Sequence, residues 1–433
     1  MNHQEAGGPR AAGGLVSSTA TYRGTISSQR LSGDAHLVIE ERGLLAETAY
    51  DSAFMDYESI RSIAYQDYAV VIRSREGEAV IRRLGNAGDW FFKELCESFN
   101  QLVQTALQAA GPMQFEARGP RYRYEDREGN ACFRVFRDEI MLLPPNLDAR
   151  RLPFLFLSRM ESKDFAITLT LTTGEVYQFS KFGENQAPFE RIVNESCRQM
   201  RSRHAELVAL LDRSLGRGRA IEAAKVLPEG VAVLLTDVKS SFPSLASILD
   251  QFLLDGRIGP YYAALKKVGD ETKLAIGFKE FKGTPGEKPE GEEKDEEEER
   301  PQEESLEEAS SGEDTGEAQP PAWAFWAIIP SHDGRKAMVE FAFPNEKAAT
   351  YLFNIEGSYE RFLVTLNRAF EASGFQREML FLTDEQLEHP DRELDRILME
   401  RTPSLQILRK QFAGRVIHRS VESWKRSLQK QLG

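Results

Sequence analysis

The side chains able to do chemistry are few and scattered. The six histidines stand at positions 3, 36, 204, 332, 389 and 418, and no two have the spacing of a metal-ligand pair. Cys96, Cys132 and Cys197 are too few and too far apart for a disulfide framework or a zinc site. The G-x-S-x-G, H-E-x-x-H, Walker and G-x-G-x-x-G motifs are absent. Ser427-Leu428-Gln429-Lys430 matches S-x-x-K, but it lies in a basic terminal segment without companion motifs. Asp67 and Asp164 recur once per repeat, which separates them and reads as a turn or cap role. His204 falls on the apolar stripe of a helix and reads as a satisfied core histidine. These residues give no catalytic, cofactor or metal site, and favour a protein that binds.

Charge is more informative. From Arg401 to Gly433 there are eight Lys and Arg against Glu422 alone. Leu405, Leu408, Phe412, Val416, Val421, Trp424 and Leu428 recur at roughly helical spacing through the same stretch. Thr402-Pro403 supplies an N-cap and an N1 proline for a helix expected to run to Leu432. Gly414 would weaken it midway by about 1 kcal/mol. Such a basic amphipathic helix can lie on an anionic membrane, enter a partner's groove or dock on its own protein. The candidate partner or membrane contacts are Arg409, Lys410, Phe412, Arg415, Arg419, Trp424, Lys425 and Arg426. The shorter clusters Arg150-Arg151 and Arg198, Arg201, Arg203 read as solvated faces, and nucleic acid is disfavoured.

The net charge of −13 has one source. Thr284 to Gln319 holds 16 acidic and 3 basic residues, and its removal leaves 52 of each sign. That tract is rich in Glu, Pro, Gly and Ser and nearly free of apolar residues. It cannot offset an ordering cost of ~1–2 kcal/mol per residue, so a disordered insert is expected at 283–320. Met1 to Ala20 is rich in Gly, Ala and Ser without an apolar run, and reads as a disordered leader. The odd cysteine count and the missing secretory signal favour a reducing cytoplasm.

The folded remainder repeats itself. Shifted by about 97 residues, Asp67-Tyr68-Ala69-Val70-Val71-Ile72 lies over Asp164-Phe165-Ala166-Ile167-Thr168-Leu169, Gly77-Glu78 over Gly174-Glu175, and Phe92 over Phe189. Val38 with Val135 and Leu45 with Leu142 extend the match upstream. Each copy has alternating strands, a hairpin turn, a Gly turn at Gly85 or Gly183, and one closing helix. The expected helix faces are Phe92, Leu95, Cys96, Phe99, Leu102, Val103 and Phe189, Ile192, Val193, Met200, Leu207, Leu211. A third, diverged copy is expected from strand-like runs at Val231–Leu235, Lys273–Phe278, Trp323–Ile329, Ala337–Phe343 and Ala349–Ile355, followed by Phe362, Leu363, Leu366 and Phe370 on a helix. Thr383 with Gln386 makes a capping box.

This pattern, carried by Tyr57-Glu58-Ser59-Ile60-Arg61-Ser62-Ile63, the Asp67 strand, Gly77, Gly85 and the Phe92 helix with their counterparts, resembles the pleckstrin-homology (PH) superfold in its GRAM-like and bacterial PH-like forms. The resemblance implies an α+β or mainly β chain of tandem PH-like barrels of seven bent strands, each closed by a C-terminal helix. The expected organisation is a leader 1–20, modules at 21–112 and 113–215, a diverged module at 216–378 carrying the insert, and a helical basic tail 379–433. Inositide-binding members cluster cations at the first hairpin, taken here as Glu40-Glu41-Arg42-Gly43 and Arg137-Asp138-Glu139. Those turns are mixed or acidic, which argues against inositide binding. The resemblance implies a cytoplasmic, non-enzymatic scaffold or adaptor for protein partners. One alternative is a peripheral protein held on anionic lipid by the basic helix. The other is an acidic-tract chaperone of basic proteins, similar in outline to eukaryotic chaperones of basic nucleoproteins.

Overall fold

The computed structural model describes residues 20–281, 322–342 and 349–432. The leader up to residue 19 and the acidic tract 283–320 lie outside them. Two compact units divide the chain: one takes the residues up to Ser196 together with Leu382–Gln406, the other Cys197–Phe381 and the residues from Ile407.

The first unit opens with strands β1 (Ala20–Ser27), β2 (Ser32–Ile39), β3 (Gly43–Thr48), β4 (Ser52–Asp56), β5 (Ile60–Gln66), β6 (Ala69–Ser74) and β7 (Gly77–Arg82), then helix α1 (Gly88–Ala106). Strands β8 (Phe115–Tyr124), β9 (Arg127–Val135), β10 (Glu139–Leu143), β11 (Arg150–Pro153), β12 (Leu157–Lys163), β13 (Ala166–Leu171) and β14 (Val176–Ser180) follow, then α2 (Gln186–Leu211), of which the residues up to Ser196 belong to this unit. Both sheets are antiparallel and share one order, β4-β3-β2-β1-β7-β6-β5 and β11-β10-β9-β8-β14-β13-β12. Seven strands in this order followed by a helix make both copies PH-like. The sheets themselves are not closed barrels: among the described residues the two outermost strands, β4 and β5 or β11 and β12, are not paired with each other.

The pairing registers show how the copies correspond. A bulge interrupts β5–β6 between Ile60 and Ser62, and β12–β13 between Leu157 and Arg159, at an offset of 97. Val70 faces Ile81 and Ile167 faces Phe179, so the second copy holds one extra residue in its hairpin. Past that turn the offset is therefore 98, and Phe91, not Phe92, corresponds to Phe189. Phe91 and Phe189 are both fully buried, while Phe92 is half-buried and stacks on Tyr65. Upstream, Ile26 opposes Gly33 and Tyr122 opposes Gly129, an offset of 96. The core residue matching Leu37 is thus Phe133, and the expected pairs Val38/Val135 and Leu45/Leu142 are one residue out. On a strand, one residue changes the face.

The second unit contains α3 (Arg217–Val226), β15 (Val233–Leu234), α4 (Leu235–Ser241), α5 (Pro243–Asp255), α6 (Gly259–Val268), β16 (Ala275–Phe281), β17 (Ala322–Pro330), β18 (Lys336–Ala342), β19 (Ala349–Asn354) and α7 (Tyr359–Ala372). After α8 (Asp384–Leu387) and α9 (Glu393–Arg401), which belong to the first unit, come α10 (Pro403–Gln411), which belongs to the second from Ile407 on, β20 (Phe412–Ile417) and α11 (Val421–Leu432). Its sheet runs β15-β16-β17-β18-β19-β20. Among the described residues the expected third copy at 216–378 does not share the PH-like order: its strands lie side by side in chain order, with β15 at an edge. Only Val233–Leu234 of the expected Val231–Leu235 run is a strand, and helices α3 to α6 precede β16. Of these, α5 was legible in the helical spacing of Leu245, Leu249 and Leu253, all buried in this unit's core with Ile276, Phe278 and Trp424.

The expected helix 402–432 is a second correction. It is broken into helix, strand and helix, with Gly414 at φ +146° inside β20 and Leu352 of β19 opposite it. A side chain is strained at that dihedral and Gly is not, so the residue read as a weak point in a helix is the one that admits the strand.

Candidate functional site

In the first unit, α9 packs on α1 of the first module. The Thr383–Gln386 capping box starts α8 just upstream. The carbonyls of Leu387 and His389 both accept from Arg396 Nη1, which fixes the guanidinium toward the module. Arg396 then pairs two-pronged with Glu58, Nε to Oε1 at 2.5 Å and Nη2 to Oε2 at 2.6 Å. Glu58 lies in the 3-10 turn Tyr57–Ser59, which the buried Tyr57 ring anchors against Phe99 of α1.

Around this pair the signs alternate. Arg42, in the β2–β3 turn, pairs with Glu393. Glu400 Oε1 accepts from Arg61 Nη1 at 2.9 Å on β5 and from Arg75 Nη2 at 2.7 Å in the β6–β7 turn. Burial pushes the Glu400 carboxyl up, but the Arg75 hydrogen bond and the Arg61 and Arg75 charges more than offset this and hold it below the usual carboxylate range. Ile397 and Leu398 supply the buried apolar part.

Arg401 is the anomaly. Its side chain is fully buried, with the guanidinium 6.0 Å from the Phe99 ring and Nη1 3.5 Å from Glu400 Oε2. Among the described residues, Nε and Nη2 have no hydrogen-bond partner. Desolvation pulls its pKa down to about 10; Glu400 opposes the fall, while Arg150, Arg61 and Arg75 add to it.

The expected contact residues do not form one surface. Trp424 is 1% exposed and its Nε1 donates to Thr350 Oγ1 at 2.8 Å. Phe412 is half-buried, its ring 5.7 Å from Phe353 and 6.4 Å from Phe381. Arg409 Nη1 donates to the Met379 carbonyl at 3.0 Å, and the Arg415 guanidinium lies 4.4 Å from the Phe381 ring. Arg409, Phe412 and Arg415 thus gather near Phe381. Lys410, Arg419, Lys425 and Arg426 are exposed. The apolar stripe docks on the protein itself: Leu405, Leu408, Trp424 and Leu428 are all buried.

Beneath Trp424 a hydroxyl, an imidazole and a carboxylate meet. Thr350 Oγ1 donates to Glu340 Oε2 at 2.6 Å and lies 3.1 Å from His418 Nε2, and Glu340 Oε1 is 3.2 Å from the same nitrogen. A nucleophilic triad places its acid and its hydroxyl on opposite imidazole nitrogens. Here both address Nε2, Thr350 is buried, and Tyr261 covers the ring at 3.7 Å. The cluster ties β18, β19 and α11 together. His204 is buried 3.8 Å from Glu229, in line with a core histidine.

Two basic features are relocated. Arg150 and Arg151 are not solvated. Arg150 is buried, donates to the Ala149 carbonyl at 2.8 Å and lies over the Tyr124 ring, and Arg151 pairs with buried Glu139 at 3.3 Å. The turns at 40–42 and 137–138 join the second and third strands, because the strands β1 and β8 precede them. The first hairpins are Ser28–Leu31 and Glu125-Asp126; there Arg30, Arg121 and Arg127 pair with Glu76, Glu128 and Asp148.

The α9 site was missed, although its signal was readable. Glu393, Arg396 and Glu400 stand at i, i+3 and i+7, and the second copy holds Leu155, Ser158 and Thr172 where the first holds Glu58, Arg61 and Arg75. No family model and no curated protein matches the chain. Among solved structures it is similar to one described as the structure of the Spt16D Pob3N heterodimer, at 14% identity over 36% of this chain and 85% of that one, with a TM-score of 0.15.

Proposed function

We propose that the chain is a non-enzymatic interaction scaffold whose tandem PH-like modules hold protein partners. One observation carries this reading: the first module already seats a helix, α9, through the two-pronged Arg396–Glu58 pair and the Glu400 bridge to Arg61 and Arg75. Helix-in-groove docking is a common mode of peptide recognition, and paired charges set its register and exclude wrong partners. The exposed Lys410, Arg419, Lys425 and Arg426 add electrostatic contacts for an acidic surface.

The test is affinity purification of the tagged full chain from its native cells, followed by size-exclusion chromatography and mass spectrometry. The reading expects a protein partner that co-elutes in stoichiometric amount. A chain that elutes alone from such cells overturns it.

A further inference from the structure

A helix packed for good normally buries an apolar stripe. The docking face of α9 is Glu393, Arg396, Ile397, Leu398, Glu400 and Arg401, and four of the six are charged. The module answers with Arg42, Glu58, Arg61 and Arg75, so each charge on this face but one meets its opposite on the module. The exception is Arg401, whose ion-pair partner is its own neighbour Glu400 and whose Nε and Nη2 have no hydrogen-bond partner among the described residues. Ion pairs of this kind specify which helix fits, while their desolvation cost limits how tightly it is held. The design suits selection and exchange better than permanence.

We infer that this face of the first module is a receptor site for a helix of another protein bearing the same acid-x2-arginine-x3-acid stripe, with α9 as its resident occupant, displaced when the partner binds. The inference deepens the scaffold reading and rests on it. The commitment to such a helix comes from charge: a glutamate flanked by arginines on the module fits an arginine flanked by glutamates on the ligand. The second module, with Leu155, Ser158 and Thr172 at the corresponding positions, does not offer this pattern.

The probe is a fluorescein-labelled synthetic peptide of residues 388–404, titrated into the full chain at low salt and followed by anisotropy. In the native chain the tethered α9 competes at an effective concentration near millimolar, so the peptide should bind weakly. Arg396→Glu in the chain repels Glu58 and frees the site, and should tighten peptide binding by about tenfold or more. Glu58→Arg should abolish the gain for the native peptide and restore binding for a peptide carrying R396E. A general loosening of the fold would not produce that charge-swap rescue. Equal binding by the native and R396E chains, or no rescue, overturns the inference.

A second measurement needs no variant. In about 0.5 M sodium chloride, where exposed charges are screened, backbone amides of α9 should exchange with deuterium about tenfold faster than those of residues 91–103 of α1. Equal protection overturns exchangeable docking. Because the peptide needs no natural partner, these results can fail while the scaffold reading stands, and the reverse.

Discussion

Arg401 and the hairpin residues Tyr68 and Phe165 show single side chains held against their local preference. The Arg401 guanidinium is buried with two nitrogens that have no partner among the described residues, so Arg401→Met, which keeps the volume and removes the charge, should stabilise the protein by about 1–2 kcal/mol. Thermal or urea unfolding of the two chains checks this. Asp67 and Tyr68, with φ of 49° and 58°, and Asp164 and Phe165, with φ of 51° and 59°, form two-residue turns in the left-handed region. Tyr68 and Phe165 are each 87% exposed and bury almost nothing. Tyr68→Gly and Phe165→Gly should each raise stability by about 1 kcal/mol, measured the same way, because glycine adopts this dihedral without strain. Asp67 and Asp164 were readable from sequence as turn residues. The aromatic second positions were not, since β-propensity assigns Tyr and Phe to strands.

At the scale of elements, the docking of α9 depends on the ionised Glu400. Its folded-state carboxyl lies below the ordinary value of 4.5, so its contribution is fully present above about pH 4.5 and is lost as pH falls through the folded value. Hydrogen exchange of α9 should therefore be constant from about pH 8 to pH 5 after correction for intrinsic rates, and should rise below that while α1 stays protected. The two PH-like sheets were legible because period-2 alternation, Gly turns and a repeated spacing all agreed. The terminal segment was misread because Phe412 and Val416 continue the helical period of Leu405 and Leu408, while the strand that Phe412 and Val416 form is recruited by β19 from far upstream. Tertiary pairing of that kind leaves no local trace. The α9 site escaped for the opposite reason: its charges were plain, but a charged stripe ordinarily faces water.

Across the whole molecule, the net charge of −13 comes from one tract, and the residues flanking it end in register. Phe281 pairs with Ala322, so residues 282–321 join two strand ends that already lie side by side. Replacing 284–319 with a short Gly-containing turn should change the midpoint of thermal unfolding little, since loop-closure entropy grows only logarithmically with length. A large fall would show that the tract contributes packing. Deletion would also bring the chain's net charge to zero, so solubility should drop near neutral pH even with the fold intact.

The first unit is assembled from residues up to Ser196 and from Leu382–Gln406. On the ribosome these pieces emerge at different times. At roughly 5–20 residues per second, α9 follows the second sheet by roughly 10–40 s. Throughout that interval the Glu58 face of a newly made first module is vacant, and the first helix to reach it need not be its own.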